Sequence, residues 1–346
     1  MKKNRLIILT ALLILSLMVS ACDADTKEVV KDYEGQLVVH FIDVGQGDST
    51  FIQLPNGETS LIDGGSRQYG DKVVNYIKNL GIDKVDYLIA THPHEDHIGG
   101  LPEVIKNFKI GKVYMPNKTA NTRIFEELLL EIENKNLKID LAKAKDSIID
   151  EGQLKFYFLA PYRDDYTETN DFSIVSKIEF IDNSFIITGD AEESSELDMI
   201  KNMANLKSDV LRVPHHGGRT SSTEEFLTEV NPEYSVISVG TDNTYGHPHN
   251  ETLQRLDKID TTTMRTDELG DIVFISDGNQ LTYLGTIVEK ENTQVESHVE
   301  YIGNKNTKVY HSKECNSLPK KENQIIFKSK EEAENKGYKP HKNCVK

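Results

Sequence analysis

His92-Pro93-His94-Glu95-Asp96-His97 follows, after Thr91, the apolar run Val85-Asp86-Tyr87-Leu88-Ile89-Ala90, and this junction decides the fold. The run has the composition of a strand. Beyond it, His92, His94, Asp96 and His97 all carry ligands suited to a borderline divalent ion such as zinc or manganese. Where an extended strand end opens into a loop, residues at i and i+2 face one side, which directs His92 and His94 toward one ion. Asp96 and His97 then stand ready for a second ion nearby. Gly99-Gly100 lets the chain turn tightly beside them. A lone loop histidine is commonplace, but this density of ligands at a strand end points to a metal centre.

Upstream, residues 37–42 read as a strand, 43–48 as a turn, 49–54 as a second strand and 59–63 as a third, ending on Asp63-Gly64-Gly65. Val73, Val74, Ile77 and Leu80 share one face of a helix over 72–80. A helix is expected over 101–108. Downstream, strands are expected over 112–115, 154–159, 173–180, 184–188, 209–213, 234–239, 271–276 and 280–284. Helices are expected over 122–135, 192–203, 223–230 and 251–259. Hairpin-linked strands mixed with strand–helix pairs predict an α+β fold of two mixed β-sheets with helices outside.

Further motifs repeat the logic of the hexad. Thr188-Gly189-Asp190-Ala191 sets a carboxylate on a turn after an apolar strand, where it can reach two neighbouring ions. Val213-Pro214-His215-His216-Gly217-Gly218 and Tyr245-Gly246-His247-Pro248-His249 follow later. The hexad resembles the signature of the metallo-β-lactamase superfamily. Phe41-Ile42-Asp43-Val44-Gly45-Gln46-Gly47-Asp48-Ser49 and the motifs above resemble, in matching order over residues 36–285, the hydrolase domain of ComEC-type competence proteins. The membrane-channel part of those proteins has no counterpart here, so DNA transport is not implied.

That resemblance implies an αββα sandwich and assigns roles. His92 and His94 hold one metal, Asp96 and His97 a second, and Asp190 bridges them. One of His215 and His216 completes the second site, with His215 the assigned ligand and its partner His216 hydrogen-bonding nearby backbone. Asp63 accepts the remaining N–H of a metal-held histidine, fixing its tautomer. No histidine lies between His97 and His215, where many superfamily members carry another ligand. Asn170 and Ser173 occupy that interval and are expected to hydrogen-bond a phosphate oxygen or a metal-held water. His247 is expected to donate to a scissile phosphate or to serve as a ligand, with Asn243 on the same wall. Asp43 and Asp48 read as turn formers. The expected cofactors are two divalent ions, zinc or manganese, which acidify a water toward neutral pH. Asp96 orients that water and takes its proton.

The flanks carry separate instructions. Lys2, Lys3 and Arg5 precede an apolar stretch over 6–19, and Val19-Ser20-Ala21-Cys22 resembles a bacterial lipobox. Residues 1–22 are therefore expected to be a lipoprotein signal with Cys22 lipidated, and 23–35 a tether. This places a monomeric protein on the extracellular face of the cytoplasmic membrane. The hydrolase domain is assigned to 36–286, a polar linker to 287–307 and a small module to 308–346. In the last, His311, Cys315, His341 and Cys344 suit a closed structural zinc site. The spacing resembles the metal-binding module of Ada-like proteins, with His341 replacing a cysteine. A Cys315–Cys344 disulfide is the competing reading in an oxidising compartment.

The chain carries 40 Lys+Arg against 56 Asp+Glu, a formal charge of −16, although residues 301–346 are basic. An acidic surface disfavours loose attraction to nucleic acid. The resemblance to ComEC-type hydrolase domains nevertheless implies a metal-dependent phosphodiesterase or nuclease acting on DNA. Hydrolysis of a small phosphoester, thioester or other ester is the alternative, and a non-catalytic surface binding protein is a third.

Overall fold

The computed structural model describes residues 33–241, 243–285, 301–312, 315, 317–327, 330–342 and 344–345. The signal segment with Cys22, the tether up to residue 32 and linker residues 287–300 lie outside them. The chain divides into two compact units, Met1–Ile287 and Val288–Lys346.

The first unit contains β1 (Leu37–Phe41), β2 (Thr50–Gln53), β3 (Thr59–Ile62), β4 (Lys84–Ile89), β5 (Lys109–Met115), β6 (Ile139–Leu141), β7 (Ser147–Glu151) and β8 (Leu154–Ala160). It continues with β9 (Val175–Phe180), β10 (Asn183–Ile187), β11 (Val210–Arg212), β12 (Tyr234–Ile237), β13 (Thr262–Arg265), β14 (Ile272–Ser276) and β15 (Leu281–Gly285). One mixed sheet runs β15-β14-β1-β2-β3-β4-β5-β6, and the other runs β13-β12-β11-β10-β9-β8-β7. Strands β6, β7 and β13 were not expected from the sequence. They are short or carry exposed polar residues, so they lack a strong apolar alternation.

Period-two alternation builds the layers. Ile52, Ile62 and Ile89 face the second sheet and, with Phe274 of their own sheet, pack with its Phe156, Phe158 and Phe185. Their neighbours Phe51, Leu61 and Leu88 face outward against helices Gly70–Asn79, Leu101–Asn107 and Arg123–Asn134. In the second sheet, Ile186 and Leu211 turn outward onto Met199, Phe226, Leu227 and Leu256 of its own helices. The result is the expected αββα sandwich.

Register then places the motifs. Strand β3 pairs parallel with β4, with Ile62 opposite Ile89, so Asp63 and Thr91 emerge side by side. Strand β10 pairs parallel with β11, with Ile187 opposite Arg212, which sends the segments with Asp190 and His215-His216 off adjacent strand ends. Loops leaving the carboxyl ends of parallel strands are where α/β architectures gather ligands.

The second unit has a sheet of strands Gln324–Phe327, Tyr301–Asn304, Val309–Ser312 and Lys339–Pro340, in that spatial order. The sequence reading assigned residues through 307 to a linker, and this is corrected. Tyr301–Asn304 is an internal strand, and Tyr301 packs in the module's core with Tyr310, Phe327 and Tyr338. Too few apolar residues precede it for its alternation to be visible.

Gly100 shows how closely the hexad is held. Its N–H donates to Gly65 O at 2.9 Å, and Gly64 N–H donates to His97 O at 2.7 Å. A Cβ at position 100 would collide with the Gly64 carbonyl oxygen, a backbone atom that cannot swing aside. Gly100→Ala is therefore expected to cost about 1–3 kcal/mol in a denaturant titration. It should also weaken metal binding, because relieving the collision displaces Asp63.

Candidate metal centre

Four imidazoles and two carboxylates from distant segments share one site. His92 Nε2 lies 2.9 Å from His94 Nδ1. His97 Nε2 lies 3.2 Å from Asp190 Oδ2, and His216 Nε2 lies 3.5 Å from the same oxygen. Asp96 Oδ2 is 3.3 Å from His216 Nε2 and 3.8 Å from His97 Nε2. Asp190 Oδ2 also stands 3.9 Å from His92 Nε2. One carboxylate oxygen thus lies within 4 Å of both halves of the cluster. His92 and His97 are fully buried, whereas His94 is exposed, so the cluster opens to solvent at one edge.

The side chains fit a cation. His97 Nε2, His216 Nε2 and Asp190 Oδ1 are buried and have no hydrogen-bond partner. Leaving such atoms unsatisfied costs about 1–3 kcal/mol each, so the two imidazole nitrogens that face Asp190 Oδ2 mark a missing partner. Ligand atoms of Asp96, His97, Asp190 and His216 all lie within 4.8 Å of one another. A tetrahedron with metal–ligand bonds of about 2.0–2.2 Å has edges of roughly 3.3–3.6 Å, close to the separations seen.

Titration follows the same demand for positive charge. Burial alone would push the His97 imidazole down, but Asp190, Asp96 and Asp63 reverse this and hold it well above the usual histidine range. Burial would raise the Asp190 carboxyl, yet His97 and His216 hold it well below the carboxylate range. Without a cation, protons on the imidazoles answer the carboxylates. Burial keeps His92 well below the usual range, leaving one ring nitrogen unprotonated.

Surrounding groups fix the ligands. Asp63 Oδ2 accepts from His97 Nδ1 at 2.8 Å, leaving Nε2 to face the cluster. The same carboxylate accepts Thr91 N–H at 2.8 Å and Thr91 Oγ1–H at 2.7 Å. Thr91 Oγ1 in turn lies 3.1 Å from His92 Nδ1. Asp63 therefore steadies one histidine directly and another through Thr91, in keeping with the role expected of it. Its φ of 59° is a left-handed conformation, locked by these bonds.

Several expected roles are corrected. His216, not His215, joins Asp96, His97 and Asp190. Both histidines of the pair are left-handed, with φ of 53°, rather than continuing the extended strand. That turn sends His216 inward, where Nδ1–H donates to Ser238 O at 2.9 Å and Nε2 meets the carboxylates. His215 faces the opposite wall, with Nδ1 2.9 Å from Glu192 Oε1 and Nε2 3.4 Å from Asn170 Nδ2. Ser173 is fully buried rather than available to substrate. Its Oγ accepts Asp190 N–H at 3.1 Å and lies 3.3 Å from His92 Nδ1, so it positions both ligands. Asn243 is spent on its own loop. It donates to His247 O at 2.7 Å and Gly240 O at 3.0 Å, and accepts His247 N–H at 3.0 Å.

Asn170 and His247 stay at the cleft. Asn170 Oδ1 and His247 Nδ1 are buried and without a partner. Burial, then the neighbouring His216, His215 and His249, lower the His247 imidazole to about 4. It is therefore neutral near pH 7.

Asp43 is the turn former expected, accepting Gly45 N–H at 3.0 Å. Asp48 is more than that. It forms a buried ion pair with the fully buried Arg212, whose Nη1 also lies 3.8 Å from Asp190 Oδ1. Neither Arg212 nor Glu192 was anticipated. Arg212 left one signal, a guanidinium in a strand otherwise reading Val210-Leu211-Val213.

The second unit has its own site. His311 Nδ1 to Cys315 Sγ is 3.4 Å, Cys315 Sγ to His341 Nδ1 3.7 Å, His341 Nδ1 to Cys344 Sγ 3.2 Å, and Cys344 Sγ to His311 Nδ1 3.8 Å. These are the edges of a zinc-sized tetrahedron, roughly 3.3–3.8 Å for N/S ligation. Both thiols are free.

The pattern of the metallo-beta-lactamase superfamily matches residues 42–241, and that of the metal binding domain of Ada matches residues 286–346. The chain is 32% identical over 253 residues to ComE operon protein 3 of Bacillus subtilis, covering 68% of this chain and 32% of that protein. It is 29% identical to Recombination protein 2 of Haemophilus influenzae, covering 68% and 28% of the respective chains. It is 28% identical to Competence protein ComA of Neisseria gonorrhoeae, covering 70% and 32%. The chain thus spans about a third of the length of these relatives.

Metal content after dialysis separates the two adjacent histidines. His216→Ala is expected to lose metal relative to wild type, whereas His215→Ala retains the wild-type amount. Asp63→Asn should bind metal about 10–100-fold more weakly in a chelator competition.

Proposed function

Because the chain belongs to the metallo-beta-lactamase superfamily, we propose that this metallohydrolase is a phosphodiesterase that cleaves DNA, anchored by lipidated Cys22 on the outer face of the cytoplasmic membrane. The carrying observation is the convergence of Asp190 Oδ2 on both halves of the histidine cluster. The competence and recombination proteins among its relatives favour nucleic acid as the substrate.

In this reading His92, His94 and Asp190 would hold one divalent ion, and Asp96, His97, His216 and Asp190 would hold a second, zinc or manganese. Such ions supply Lewis acidity toward a phosphoryl oxygen and lower the pKa of water. Asp96, half-buried at the open edge, orients the attacking water. His247, whose ring nitrogen Nδ1 has no partner, donates to the phosphodiester, and Asn170 flanks it, held by Glu192. Glu192 pins His215 against that wall. Neither a serine nor a cysteine nucleophile is required, and the cysteines of the described residues lie in the second unit. There, His311, Cys315, His341 and Cys344 hold a structural zinc.

The strongly acidic composition favours a second reading, in which the substrate is a small phosphoester. Turnover of a bis-aryl phosphodiester, of single-stranded DNA and of small phosphoesters, each with defined zinc or manganese, separates the two. DNA cleavage by wild type should fall at least 100-fold in Asp190→Ala and His94→Ala. Turnover confined to small esters would transfer the assignment to the second reading. No metal-dependent turnover of any substrate would end both.

In the tail, Cys344→Ser is expected to release zinc and expose residues 301–345 to protease. Phosphodiesterase activity should persist.

A further inference from the structure

A column of aromatic rings leads away from the metal cluster. His247 stacks on His216 with centroids 6.1 Å apart and planes 25° apart. Tyr245 stacks on His247 at 5.7 Å and 21°. The inner ring belongs to the ligand cluster, and the outer ring ends in solvent. Tyr245 is 66% exposed and is the only aromatic among the exposed large hydrophobic side chains of the described residues.

The platform is held rigidly. Asn243 bonds the backbone of Gly240 and His247, clasping the loop on either side of Tyr245. His249 N–H donates to Gly217 O at 3.0 Å, tying the loop to the turn that carries His216. A cation stands on the same wall. Exposed Arg219 donates from Nη2 to His249 Nε2 at 2.9 Å, and the His249 ring meets His247 edge-on at 4.8 Å. An exposed ring, parallel to the column and fixed before any ligand arrives, has the form of a stacking surface. A guanidinium nearby adds phosphate recognition.

We propose that Tyr245 is a nucleobase platform: its outer face stacks the base of a nucleotide next to the scissile phosphodiester, and Arg219 faces the adjoining phosphate. The inference rests on the phosphodiesterase reading and narrows the substrate to base-bearing single strands. Every base has a π-face, so such a platform binds without strong sequence preference.

The test uses the detergent-solubilised full chain with manganese, as wild type, Tyr245→Phe and Tyr245→Leu. Each is given a single-stranded DNA oligonucleotide and an abasic oligonucleotide of equal length. Stacking on an aromatic ring is worth about 1–3 kcal/mol per base. Tyr245→Leu should therefore raise KM on base-bearing DNA about 5- to 150-fold with little change in kcat. Tyr245→Phe should stay within about twofold of wild type, and the abasic strand should not distinguish the three proteins. Thermal melting should be unchanged, as suits an exposed side chain. Wild-type KM in Tyr245→Leu on base-bearing DNA, or equal losses on both strands, would overturn the platform while leaving the phosphodiesterase reading intact. A wild type that cleaves a bis-aryl phosphodiester but neither binds nor cleaves either oligonucleotide would overturn the platform and its nucleic-acid premise together.

Discussion

A carboxylate as deeply buried as Asp190 needs positive charge around it. In this chain the charge comes from two sheets at once. His97 reaches it from the end of one sheet, while His216 and Arg212 reach it from the other. The same sandwich that packs the Ile and Phe layers also brings these strand ends together. Packing and chemistry are therefore coupled at one side chain, Asp190.

Arg212 and Asp48 extend that coupling. A guanidinium with no exposed surface is costly to bury, and burial lowers it to about 9. Its partners explain its presence. It pairs with Asp48 beside the opening strands and lies near the backbone of Gly189 and the carboxylate of Asp190. A hydrophobic residue at position 212 would fill the space but would leave buried Asp48 only the more distant imidazoles of His97 and His216. The pair is thus better understood as fixing the bridging carboxylate than as a source of stability.

Much of this was legible in the sequence, for identifiable reasons. Strand alternation and the hexad predict the layers and the core of the site, because both are local patterns that backbone geometry preserves. The exchange of His215 and His216 was not legible. Two adjacent imidazoles are chemically equal until backbone dihedrals separate them, and successive left-handed residues are rare outside glycine. Ser173 and Asn243 misled for a related reason. Their side chains serve phosphate, ligand and backbone equally well, and only tertiary position shows that backbone and ligands had claimed them. The strand Tyr301–Asn304 escaped because its partners lie later in the chain.

Charge bears on how such a site would hold a polyanion. Much of nucleic-acid affinity ordinarily comes from counterion release by many lysines and arginines. A chain of formal charge −16 has little such surplus to offer. Binding would then rest on short-range terms: phosphate on the metal cluster, an occasional guanidinium such as Arg219, and a base against a ring. Those terms depend on position rather than on net charge. They require rigid presentation, and the clasped loop around Tyr245 and the Asp63-locked histidines provide it. An acidic body is therefore compatible with a nucleic-acid substrate, provided that recognition is concentrated at the cleft.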